Sequence, residues 1–253
     1  MTLASVFLRR PFAHRGLHNV EDGQPENSLA AFRAAIAGGY GIELDLQLSA
    51  DGAAMVFHDY ALDRLTHEKG AVRLRKAAEL GATRLKGGDE GIPTLMEVLS
   101  LVAGRAPMLI ELKDQDGGMG DDLGPLEAAV AAALADYEGP AAVMSFNPNS
   151  VARLAQLAPQ VPRGIVTDPY RYNEWPLPEA TCDRLREIPD YDRVGATFIS
   201  HDVNDLGRPR VAELKAAGAS ILCWTVRSAL QEAEARRIVD NITFEGYAAA
   251  LPA

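Results

Sequence analysis

At 253 residues, with 47% hydrophobic and 24% charged residues, the chain has an ordinary globular composition and the length of one (β/α)8 barrel or two small domains. A net charge of −10 argues against a nucleic-acid partner, which calls for a basic face, and against stable association with an anionic membrane. The two cysteines form neither a disulfide framework nor a metal spacing, no run reaches the roughly 20 apolar residues that span a bilayer, and the N-terminal arginines follow a very short apolar run, the reverse of an export signal, so a cytoplasmic address is expected.

Strand-like and helix-like runs alternate from end to end. Residues 11–14 read as a short first strand. A helix follows over 28–39, with Leu29, Phe32 and Ile36 on one stripe, Ser28 or Asn27 as its cap and Gly38 or Gly39 as its stop. Strands 41–49 and 53–59 come next, separated only by residues 50–52. Residues 59–93 offer little more than a short loop's worth of extra chain before the helix at 94–104. Strand 108–114 and helix 125–137 continue the rhythm.

In the second half, strands are expected at 141–146, 163–167, 196–200, 220–226 and 240–246, with helices at 150–158, 208–218 and 228–239. Residues 168–194 are the least regular stretch and read as a long loop or small excursion near the site. Alternation of this kind, with no composition break, predicts a parallel sheet closed into a single-domain (β/α)8 TIM barrel covering residues 1–253.

Residues two apart on a strand share a face. Glu43 and Asp45 therefore project together, as do Glu111 and Lys113. Each pair lies toward the end of its strand, where barrels of this type build their sites. His14 ends the first strand and His58 another, so all six side chains are expected at one mouth. Three converging carboxylates repel each other unless a cation joins them, and oxygen-only donors suit Mg²⁺ or Ca²⁺ over zinc. Beside Arg15 and Lys113, such an ion makes a cationic pocket that fits a phosphate. Two imidazoles then supply a proton donor and acceptor near neutral pH. Phosphodiester cleavage is the chemistry expected.

The same residues carry a family resemblance. The run HRG at 14–16, PENS at 25–28, ELD at 43–45, HD at 58–59 with LDRLT after it, and ELK at 111–113 resembles the glycerophosphodiester phosphodiesterase family. MSF at 144–146 and WTV at 224–226 fit that family's later strands. The resemblance implies a metal-dependent (β/α)8 barrel that hydrolyses a small-molecule glycerophosphodiester to glycerol 3-phosphate and an alcohol. It implies Glu43, Asp45 and Glu111 as metal ligands, His14 and His58 as the acid–base pair, and Arg15 and Lys113 as phosphate contacts. One histidine would deprotonate the glycerol 2-hydroxyl for attack on phosphorus while the other protonates the leaving alcohol, and water would then open the cyclic phosphate. Near the C-terminus the chain departs from the family pattern, with Glu245 where an Asp is common.

Each assignment has a structural counterpart. Lys113 is an obvious ion-pair partner for Glu111, Arg15 could anchor a loop, and Phe146 and Trp224 either stack on substrate or simply pack. Gly16 and PENS read as a tight turn and a helix start, Asp59 as a residue that shapes the turn after His58 or orients its ring. His201 and Asp202 follow a strand, with a role away from the mouth favoured, and His18 and His67 read as loop residues. Two other functions compete: a phospholipase of the phosphatidylinositol-cleaving or sphingomyelinase D type, and a non-catalytic phosphate-sugar binding protein. A homo-oligomer is compatible with the sequence.

Overall fold

The computed structural model describes residues 3–251. Nine strands form one sheet: β1 (Phe12–Ala13), β2 (Gly41–Leu48), β3 (Ala54–Val56), β4 (Met108–Leu112), β5 (Ala141–Ser145), β6 (Arg163–Thr167), β7 (Phe198–Asp202), β8 (Ser220–Val226) and β9 (Asn241–Phe244). Eight of them run parallel, and β1 closes the barrel by pairing with β2 on one side and β9 on the other. The expected (β/α)8 architecture is present. β3 is the exception, because it pairs antiparallel with β2 as the return arm of a hairpin. It was expected to join the parallel set. β2 is eight residues long, so its end runs beyond its parallel pairing with β4, and residues 50–52 are too few for a crossover helix.

Alternation along each strand separates two cores. Ile42, Leu44, Leu46, Ile110, Leu112, Val143 and Ile199 face outward against the helices. Leu109, Met144, Val166, Phe198 and Leu222 face inward and fill the barrel, joined from below by Phe12 and by Phe7 of the short helix Val6–Arg9. Gly41 and Gly164 make room for this filling. A Cβ on Gly41 would sit 2.6 Å from the Phe12 ring, and one on Gly164 would sit 2.4 Å from the Phe198 ring.

Two stretches are more ordered than their sequences suggested. Residues 53–93 form an excursion with a small core of its own, made by Met55, Phe57, Leu62, Val72, Leu80, Leu85 and Ile92, and contain the helix Ala77–Ala82. Helix Glu179–Arg186 lies within the supposed long loop, and its buried Cys182 and Leu185 pack on Tyr170. Neither helix was foreseen, since both are short and held by tertiary contacts more than by their own periodicity.

Candidate active site

The turn after β1 is built from left-handed backbone. Arg15 has φ 56° and Gly16 has φ 81°, and a Cβ on Gly16 would stand 2.9 Å from that of Ala31. This turn aims the Arg15 amide at Glu43, with its N–H donating to Oε2 at 3.0 Å. Asn27, also left-handed at φ 57°, donates its side-chain amide to Asp45 Oδ2 at 2.9 Å. Ser28 then caps helix Leu29–Ala37 through the amide of Ala31. The PENS segment therefore does more than start a helix, because its Asn27 fixes a carboxylate and its Glu26 pairs with both Arg15 and Arg64.

Glu43, Asp45 and Glu111 are all buried, and each presents an oxygen within 4.8 Å of the others. Lys113 reaches into this group, 2.7 Å from Asp45 and 2.5 Å from Glu111. Arg15 Nε lies 3.5 Å from Asp45 and, although buried, has no hydrogen-bond partner among the described residues. Burial, and after it the charges of Asp45 and Glu111, pushes the Glu43 carboxyl well above the usual carboxylate range. Burial acts on Asp45 in the same sense, but the charges of Lys113, His58, Arg15 and His14 hold it far below. Three buried carboxylates thus converge on only two cations, Arg15 and Lys113, among the described residues, and such an all-oxygen cluster fits a hard divalent ion.

Both histidines are held from behind by a carboxylate. His14 Nδ1 lies 2.5 Å from Glu245 Oε2, and His58 Nδ1 lies 2.7 Å from Asp59 Oδ1. The hydrogen bond from His14, helped by nearby His18 and Arg227, holds Glu245 well below its ordinary range, so it is ionised and can only accept. His14 Nδ1 therefore carries the hydrogen. Its Nε2 faces inward, 4.0 Å from Glu43 Oε2, and burial keeps the ring's pKa below the usual histidine value. For Asp59, burial is outweighed by hydrogen bonds from His58 and Arg64, which likewise leave it ionised. Glu245 in turn is gripped by Arg227 at 2.7 Å and lies 3.8 Å from His18.

A cavity of about 440 Å³ opens over the C-terminal ends of the strands. His14, Arg15, Glu43, His58, Glu111, Lys113, Phe146 and Trp224 all line it, and Asp45 sits just behind Lys113. His201 does not reach the cavity. It is fully buried and bonded to Thr167 and Asp205.

A glycerophosphoryl diester phosphodiesterase family model matches residues 14–243, nearly the whole barrel. The chain belongs to that family. YhdW of Bacillus subtilis is 30% identical over 225 residues, 85% of each chain. A glycerophosphodiester phosphodiesterase of Caldanaerobacter subterraneus is 36% identical over 166 residues, 61% of this chain and 65% of its own. Among solved structures, an Oleispira antarctica phosphodiesterase in complex with the product sn-glycerol-3-phosphate superposes with a TM-score of 0.76 and 25% identity, covering 94% of this chain and 93% of that one. In this phosphodiesterase, the sequence offers Asn27 only as a helix cap, leaves the role of Glu245 unassigned and gives Trp175 none. Glu245 stood out only as a departure from the family pattern. Asn27 was signalled by its place before a helix cap, and Trp175 by no motif.

Proposed function

We propose that this phosphodiesterase hydrolyses glycerophosphodiesters to glycerol 3-phosphate and an alcohol, with a Mg²⁺ or Ca²⁺ ion held by Glu43, Asp45 and Glu111. The observation that carries the reading is the convergence on one cavity of two carboxylate-held imidazoles and a buried carboxylate triad. A divalent ion at the triad supplies Lewis-acid polarisation of a phosphoryl oxygen. Arg15 and Lys113, which both line the cavity, bind the phosphate and balance the charge that builds on it. Phe146 and Trp224 flank the substrate.

His14 and His58 handle the protons. With each Nδ1 committed to a carboxylate, each Nε2 is the free nitrogen. One Nε2 takes the proton of the glycerol 2-hydroxyl as its oxygen attacks phosphorus, and the other gives a proton to the departing alcohol oxygen. The roles then reverse as water opens the cyclic phosphate, which regenerates both rings.

The test is a chelated sample assayed on a panel of glycerophosphodiesters with Mg²⁺ and Ca²⁺ restored in turn. Release of glycerol 3-phosphate that returns with the cation is expected. Cleavage of none of the panel under any cation would overturn the reading.

A further inference from the structure

The cavity has two chemically opposite halves. The half over β1, β2 and β4 holds Arg15, Lys113 and the histidines. The other half is aromatic. Phe146 follows β5, Trp224 lies on β8, and Trp175 comes from the excursion after β6. Their rings meet around Phe146, with centroids 5.1 Å away at Trp175 and 5.5 Å away at Trp224. All three are only half-buried, and Met119, Met144 and Val166 complete the apolar wall.

Two carboxylates hold the apolar wall in place, one at the edge of the cavity and one behind Trp175. Asp168 accepts the indole N–H of Trp175 on both oxygens, at 3.1 and 3.0 Å, and the Tyr170 amide. Asp114 borders the cavity and accepts from the Met119 amide and the Asn147 side chain. This two-point grip on the indole N–H fixes the orientation of the Trp175 ring. Arg227, the cation bordering this side, is engaged by Glu245. A wall of three aromatic rings with no free cation beside it among the described residues favours a large, weakly hydrated cation.

We infer that the aromatic half, with Trp175 as its specificity-determining residue, receives the alcohol of the diester and selects an alcohol bearing a quaternary ammonium. The inference rests on the phosphodiesterase reading above and adds the chemistry of the leaving group. A zwitterion then matches the cavity, anionic phosphate to the basic half and ammonium to the aromatic half. The cavity volume of about 440 Å³ is near the lower end of small-ligand sites, which run roughly 300–1,000 Å³, and suits a compact diester over one carrying a long acyl chain.

The decisive comparison is between glycerophosphocholine and its carbon isostere, the 3,3-dimethylbutyl ester, which has the same shape and no charge. For the wild-type protein with Mg²⁺ or Ca²⁺ restored, kcat/KM is expected to favour the choline ester by roughly 2- to 30-fold. In Trp175→Leu that ratio falls toward one, and in Trp175→Phe, which retains an aromatic face, it stays in between. Equal turnover of the two esters by the wild-type protein overturns the inference, as does a Trp175→Leu variant that keeps the full preference. If no diester is cleaved, the phosphodiesterase reading fails while this one is still decided, because calorimetric binding of the same two esters reads the ammonium preference without turnover. Equal affinities overturn it and a tighter choline ester supports it.

Discussion

His14 and His58 reach the same arrangement from different parts of the fold. His14 follows a barrel strand, is closed in, and takes its carboxylate from Glu245, 231 residues away in sequence. His58 follows a hairpin arm outside the barrel, keeps a side-chain exposure of 32%, and takes its carboxylate from the next residue. One orienting contact needs the whole barrel closed before it exists, and the other is local. The two differ in how far water can substitute for a missing partner.

The most direct attack on this comparison is to remove the rings. His14→Ala and His58→Ala are each expected to lower kcat by about 10² to 10⁴, the usual worth of a positioned acid or base. Near wild-type turnover by either would remove that histidine from the chemistry. Next in size are the orienting carboxylates. Glu245→Gln is expected to cost about 10- to 100-fold in kcat with little change in KM, a typical loss for an outer partner of a functional histidine, and Glu245→Asp to recover part of it. Asp59→Asn should cost less, because His58 is open enough for water to take the place of the carboxylate. Equal losses would erase the distinction between a buried and a solvated partner.

A smaller effect separates the triad from the rings. A carboxyl whose folded pKa is raised, as that of Glu43 is, contributes stability below its unfolded value near 4.5 and loses it as pH rises through the folded value. A divalent ion offsets that loss. At about 100 times its Kd the ion should raise Tm by roughly 5–10 °C in a chain of this size, and by more at pH 8 than at pH 5. Glu111→Gln should abolish the rise, and thermal melts with and without Mg²⁺ or Ca²⁺ check it. The smallest change is expected for Arg64→Ala. Arg64 is about half exposed and pairs with Asp59 and Glu26, so its removal should alter stability by only about 0.2–1 kcal/mol in a urea titration.

The parts legible in the sequence were those whose partners are near in the chain or fixed by strand period. Glu43 with Asp45 and Glu111 with Lys113 follow from a spacing of two, and His58 with Asp59 from adjacency. The barrel followed from alternation alone. Glu245 on His14, Asn27 on Asp45 and Trp175 on Asp168 are contacts that loops and barrel closure create, and no local pattern encodes them. The hairpin was misread because β3 has the apolar run of a barrel strand, while its direction is set by the three-residue connection. Residues 59–93 were misread because their apolar residues are sparse and come together only in three dimensions.

The hairpin also has a consequence for how the protein comes apart. His58 is mounted on a unit with its own small cluster of apolar side chains, attached to the cylinder chiefly along β2. That unit can loosen at a temperature or denaturant level that leaves the cylinder closed, separating one imidazole from the other without global unfolding. Amide exchange at Phe57, Leu62 and Leu80 would then outpace exchange at Leu44 and Ile110, and catalysis would fade ahead of the main melting transition.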